Sequence, residues 1–210
     1  MISYQSTKLE DTIEELLTRI DVTAPDALDM FYIAEALDIK LTTLALSSQL
    51  VVFKGVPCIN IFSNQSAEDM WQDFAHEVCH FLTQYGNQTS MPELFLTYQE
   101  MKADNFALHF CIPTFMLAQI ELPAERYRAI NLVANEFNVT YDFAKKRLEH
   151  FERQLIGTEL QVKVNSQYKA TMLYRKQMNC DYVYEKGNKA YMMNYNKGLV
   201  AVIDGGESHV

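Results

Sequence analysis

His76, Glu77 and His80 form a His-Glu-x-x-His run inside Trp71-Gln-Asp-Phe-Ala-His76-Glu77-Val-Cys-His80-Phe81-Leu82. At about 100° per residue, taking His76 as zero, His80 falls near 40° and Glu77 near 100°, while Trp71, Phe74, Val78, Phe81 and Leu82 cluster between about 140° and 240°. One helix face is therefore apolar and the opposite face carries the chemistry. Two neutral imidazoles four residues apart can reach one Zn²⁺, and the carboxylate beside the first can touch a metal-activated water without ligating. Glu77 is the candidate general base. A bare motif of this kind also arises on amphipathic helices with two surface histidines, so a third ligand has to decide.

The third ligand is found in Thr97-Tyr-Gln-Glu100-Met-Lys-Ala-Asp104-Asn-Phe-Ala-Leu-His109-Phe-Cys111-Ile-Pro113. Glu100 and Asp104 are four apart on one helix face, with Ala103, Ala107 and Cys111 within about 60° of Glu100 and with Lys102, Asn105 and His109 pointing away. The small alanines allow close approach to the first helix. A catalytic zinc centre uses three protein ligands and one open position, which His76, His80 and Glu100 supply. Asp104 suits the shell behind them, accepting the remaining ring N–H of a ligand histidine.

His-Glu-x-x-His followed by Glu-x-x-Ala-Asp-x-Phe-Ala and an apolar run to a proline resembles the ImmA/IrrE metallopeptidases, here as His76–His80, Glu100–Ala107 and Pro113. The resemblance spans roughly residues 20 to 150. It implies a zinc endopeptidase of the gluzincin type, encoded by phages or mobile elements and acting on a helix-turn-helix repressor. By position it assigns His76, His80 and Glu100 to zinc and Glu77 to the base. Two features depart from it: the run around His109 is more polar than usual, and nothing from about residue 158 onward matches.

The elements that must position these side chains follow from hydrophobic period. Leu9, Ile13, Leu16, Leu17 and Ile20 mark an amphipathic helix over 8–20, and Pro25 opens a second expected to run to about Leu37. Between Ile39 and Phe62, β-branched and aromatic residues interrupted by Gly55 and Pro57 indicate strands near 39–45, 50–54 and 57–62. In the resembling peptidases the strand before the metal helix is an edge that binds extended substrate, so Cys58–Phe62 is the expected cleft wall. An ordinary core strand is an equal reading. Ser66, with Asp69 three residues on, caps the metal helix. The stretch Thr83–Pro92 forms the rim, where Tyr85 and Tyr98 are oxyanion-donor candidates equally well read as packed aromatics.

Residues 123–149 read as two short helices across Asn138-Val-Thr140, similar to a helix-turn-helix. Lys145, Lys146 and Arg147 make its second helix basic, but Glu125, Glu136, Asp142 and Glu149 dilute the patch, so partner docking is preferred over DNA contact. Beyond Gly157 the pattern alternates in Leu160–Val164, Tyr168–Tyr174, Tyr182–Glu185, Ala190–Tyr195 and Leu199–Ile203, which predicts four or five antiparallel strands. The fold class is thus α+β. Expected are a zincin-like, mostly helical domain over 1–122 with a small sheet, a helix-turn-helix-like segment over 123–156, and a β-rich module over 157–210.

Composition bounds the setting. The 210 residues are 49% hydrophobic and 21% charged, with a net charge of −9, as for a folded chain with a real core. No basic and apolar leader opens the sequence and no run of 18 uncharged apolar residues follows, so neither standard secretion nor membrane insertion is expected. Cys58, Cys79, Cys111 and Cys180 lack a CxxC and read as reduced thiols in a cytoplasm. Residues 1–150 hold ten Lys/Arg against 21 Asp/Glu, a balance of −11, which disfavours general nucleic-acid binding. A basic partner such as a repressor fits that charge. Two other functions compete with the peptidase: an anti-repressor that binds without cutting, and the toxin of a toxin–antitoxin pair. Pure binding has no use for Glu77.

Overall fold

A computed structural model describes residues 4–83, 92–177, 179–187 and 189–204. The chain forms two compact units, one of residues Tyr4–Gln154 and one beginning at Leu155. Together they make an α+β fold.

Helix α1 (Lys8–Arg19) begins with a capping box, in which the Thr7 side chain accepts from the Glu10 amide and the Glu10 carboxylate accepts from the Thr7 amide. Its buried face is Ile13, Leu16 and Leu17. The helix expected from Pro25 is broken. Pro25–Ala27 makes one 3₁₀ turn, and α2 (Met30–Ala36) restarts where the Asp29 side chain accepts the Tyr32 amide at 2.8 Å. Proline pre-set the first turn, but an aspartate that caps strongly created a second start.

Strands β1 (Lys40–Leu44), β2 (Gln49–Phe53) and β3 (Val56–Phe62) form a sheet in the order β1-β3-β2, with β1 parallel and β2 antiparallel to β3. The hairpin turns on Lys54 and Gly55, both at positive φ, the geometry a tight two-residue turn demands. This order corrects the expected cleft wall. Cys58–Phe62 is central, because its apolar Ile59 and Ile61 are fully buried and both its edges are paired. The edge beside the metal helix is β2.

Helix α3 (Ala67–Thr83) starts as expected at Ser66, whose hydroxyl oxygen accepts the Asp69 amide at 3.1 Å. It buries Trp71, Phe74 and Val78. Helix α4 (Glu93–Cys111) packs on α3 through Ala103 and Ala107, both buried. A short α5 (Thr114–Leu117) follows Pro113. Helix α6 (Arg126–Glu136) and α7 (Tyr141–Gln177) flank the turn at Asn138, φ 49°. Thr140 accepts the Phe143 amide and donates to Gln72 on α3, tying the start of α7 to the metal helix.

Two expectations fail in α7. Arg147 does not join a basic surface with Lys145 and Lys146, which are exposed, because it is fully buried. Its Nε donates to the Ile112 carbonyl at 3.1 Å and its Nη2 to Thr114 at 2.6 Å. Leu160–Val164 and Tyr168–Tyr174 are helix, not strands. The same residues also hold a helical stripe, Leu160, Val164, Tyr168 and Met172, and the single Gly157 ahead of it lies within α7. Propagating an existing helix adds one hydrogen bond per residue without a new nucleus. Three strands remain, β4 (Tyr182–Lys186), β5 (Lys189–Asn194) and β6 (Gly198–Asp204), in an antiparallel sheet ordered β4-β5-β6. All four cysteines are free thiols.

Candidate metal centre

Helices α3 and α4 bring the predicted ligands together. His76 Nε2 lies 2.9 Å from His80 Nε2 and 3.1 Å from Glu100 Oε2, and His80 Nε2 lies 3.7 Å from Glu100 Oε1. Ligands about 2.0–2.1 Å from one tetrahedral ion stand roughly 3.3 Å apart, so these donors surround a point where an ion of that size fits. Among the described residues they form the one such group of His, Cys, Asp or Glu.

Asp104 sits one turn after Glu100 and its Oδ1 is 3.1 Å from His76 Nδ1. A carboxylate there accepts a hydrogen bond from Nδ1–H and so holds the proton on Nδ1, which leaves the Nε2 lone pair facing the other donors. The two imidazoles meet edge to face with centroids 4.7 Å apart. Burial, followed by the neighbouring His76, pushes the His80 imidazole below its usual pKa, against the pull of Glu100 and Asp104. That keeps it neutral, as a metal ligand must be.

Glu77 is 7% exposed. Burial raises its carboxyl pKa, opposed by His76 and by a hydrogen bond from the Leu50 amide. A carboxylate shifted toward neutrality can both take and return a proton. The Leu50 amide belongs to β2, so the edge strand touches the base directly. One turn earlier on α3, Asp73 accepts from Ser48 at 2.5 Å and from Gln65 at 2.9 Å, which anchors the approach to β2 on the same helix. Sequence reading missed Ser48 and Leu50. Their link to α3 spans more than 20 residues and, for Leu50, uses only a backbone group.

Tyr98 is 62% exposed on α4, and Tyr85 lies outside the described residues. No helix among the described residues is long and apolar enough to cross a membrane.

The chain is 39% identical over 184 residues to the phage-like element PBSX protein XkdA of Bacillus subtilis (strain 168), covering 88% of this chain and 89% of that one. It is 41% identical over 152 residues to the uncharacterized protein YqaB of the same organism, covering 72% and 88%. Residues 34–149, from α2 through the metal helices to the first turns of α7, match the family model of peptidase M78, the IrrE N-terminal-like domain. The chain belongs to the M78 peptidase family.

Proposed function

We propose that the protein is a zinc-dependent endopeptidase that cuts a helix-turn-helix regulator and so derepresses phage or mobile-element genes. The observation that carries this reading is the convergence of His76, His80 and Glu100 beside the buried Glu77. Membership in a peptidase family supports the hydrolytic part, and the phage-element relative supports the setting.

When bound, zinc supplies a Lewis acid that polarises a peptide carbonyl and acidifies a water. Asp104 holds His76 in the tautomer that keeps Nε2 free. Glu77 takes a proton from the attacking water and returns it to the departing amine. Among the described residues β2 pairs with β3 alone, so its other edge has backbone groups for an extended substrate. The role assigned to Cys58–Phe62 from sequence thus passes to Gln49–Phe53.

The test is to incubate the zinc-loaded protein with the helix-turn-helix regulator encoded beside it, with the Glu77→Gln variant in parallel, and to analyse the products by mass spectrometry. A discrete cut made by the parent protein alone is the expected result. A stable complex with both forms and no cut overturns proteolysis in favour of an anti-repressor that acts by binding.

A further inference from the structure

A second concave site lies beside the two metal-site helices, on the flank of α3 and the far side of α4 from the ligands. A cavity of about 610 Å³ opens between α1, the C-terminal end of α3 and the middle of α4. Its floor is apolar: Leu16, Cys79 and Phe106 are buried, with Leu9 and Leu82 half-buried around them. Its rim is cationic, with Lys8 and Arg19 from the two ends of α1 and Lys102 from α4, all exposed. Glu15 is the sole carboxylate lining it.

The charge is unusual for its surroundings. Residues 1–150 carry a balance of −11, yet three of their ten basic residues border this one cavity. None of the three is in an ion pair among the described residues. At physiological ionic strength screening acts over about 8 Å, so a ligand in the cavity feels the three cations and the single Glu15 that line it more than acids elsewhere on the chain.

The spacing selects the ligand. Lys8 and Arg19 are 11 positions apart on one helix, about 16 Å at 1.5 Å per residue. A single-headed amphiphile reaches one end or the other. About three turns of an amphipathic helix span that length, seating an apolar stripe on Leu9, Leu16 and Phe106 while acids on its flanks meet Lys8, Lys102 and Arg19. We infer that this groove docks an acidic amphipathic helix of a protein partner. The site is separate from the peptidase centre, and occupancy would bear on both helices that hold it: Cys79 lies between His76 and His80, and Lys102 between Glu100 and Asp104.

The test uses the full chain carrying Glu77→Gln, so that a peptide cannot be turned over and the result does not depend on the peptidase reading. The probe is a fluorescein-labelled 18-residue designed helix with leucines at i, i+3, i+4 and i+7 and glutamates elsewhere, followed by fluorescence anisotropy. Its lysine-for-glutamate counterpart serves as control. Saturable binding of the acidic peptide is expected, at least tenfold tighter than the basic one. Arg19→Glu with Lys102→Glu should weaken it at least tenfold, and Lys145→Glu on α7 should leave it unchanged. Absence of binding, equal binding of both peptides, or indifference to the double charge reversal overturns the proposal. Binding of decanoate without the peptide overturns it in favour of a small amphiphile.

Discussion

At the residue scale the proposed site divides into a base, three ligands and one orienting carboxylate, and each assignment has its own expected outcome. Glu77→Gln keeps shape and hydrogen bonding but cannot accept a proton. Zinc content should stay at one equivalent while cleavage falls by about 10²–10⁴, the usual worth of a general base; metal analysis beside a product assay checks both. Undiminished cleavage removes Glu77 from the mechanism. Asp104→Ala frees His76 Nδ1 of its partner at 3.1 Å, and loss of such an orienting group costs about 10- to 100-fold in metal affinity. Competition with a chelator reads that change, and an unaltered affinity contradicts the assigned role. Glu100→Ala should have the larger effect, since it removes a ligand outright.

At the element scale the centre depends on how closely α4 lies on α3. Ala103 is fully buried at this contact, so Ala103→Leu forces the helices apart. Overpacking of this kind costs about 1–3 kcal/mol, and here it should also lower zinc affinity because the separation of Glu100 from the histidines grows. Denaturant melts and zinc titration measure the two effects, and a loss of stability with intact zinc affinity would show that the ligands tolerate helix displacement. The hydrophobic period located α1 and α3 within a residue or two, since each buries one face, whereas α4 begins at Glu93, ahead of the Thr97–Pro113 stretch that marked it, and buries its whole circumference from Phe106 to Cys111. The same criterion misread Leu160–Val164 and Tyr168–Tyr174, where residues spaced for a strand are also spaced for a helix and the preceding α7 settles the conformation.

At the scale of the whole molecule, a buried polar hub joins the N-terminal helix to the later ones. Glu10 accepts from Tyr4 at 2.5 Å and from Thr114, and its Oε1 lies 3.5 Å from His109 Nδ1 and 3.6 Å from Arg147 Nη2. Burial works to raise the Glu10 carboxyl pKa, but His109, Thr114, Tyr4 and the Thr7 amide outweigh it and hold the group well below the usual range. Arg147→Met leaves a buried carboxylate without its cation and should cost about 3–5 kcal/mol, whereas Arg147→Met with Glu10→Gln should recover much of that loss. Chemical denaturation of both variants checks it; a double variant no more stable than the single one removes the ionic explanation.

The hub also sets an acid limit. Burial holds His109 and His150 neutral, and Arg147 reinforces it at both, with His109 and Arg153 adding to it at His150 against the opposing pull of Glu10. Their folded pKa values are lowered, so the unfolded chain takes up protons first. That stability is complete above about pH 6.5 and is lost as pH falls through it. Glu10, also lowered, adds a further loss below about pH 4.3, the ordinary glutamate value. Thermal melts from pH 8 to pH 4 should show a steady midpoint down to about 7 and a decline below. A midpoint unchanged at pH 5 refutes this account.

The sequence by itself determined which side chains converge, because the cluster is written in helical spacing: His76 and His80 share a face four residues apart, as do Glu100 and Asp104, and α3 and α4 both have the small or apolar faces needed to meet. Contacts that join distant segments, or that use backbone groups, leave no such periodic trace. Only the tertiary structure therefore decided that β2 rather than β3 is the free edge, that the Leu50 amide reaches Glu77, and that Arg147 is buried against Glu10. A local pattern records which side of an element is apolar. It does not record which distant element covers that side, and so it could not distinguish a basic surface at Lys145–Arg147 from two exposed lysines beside a buried arginine.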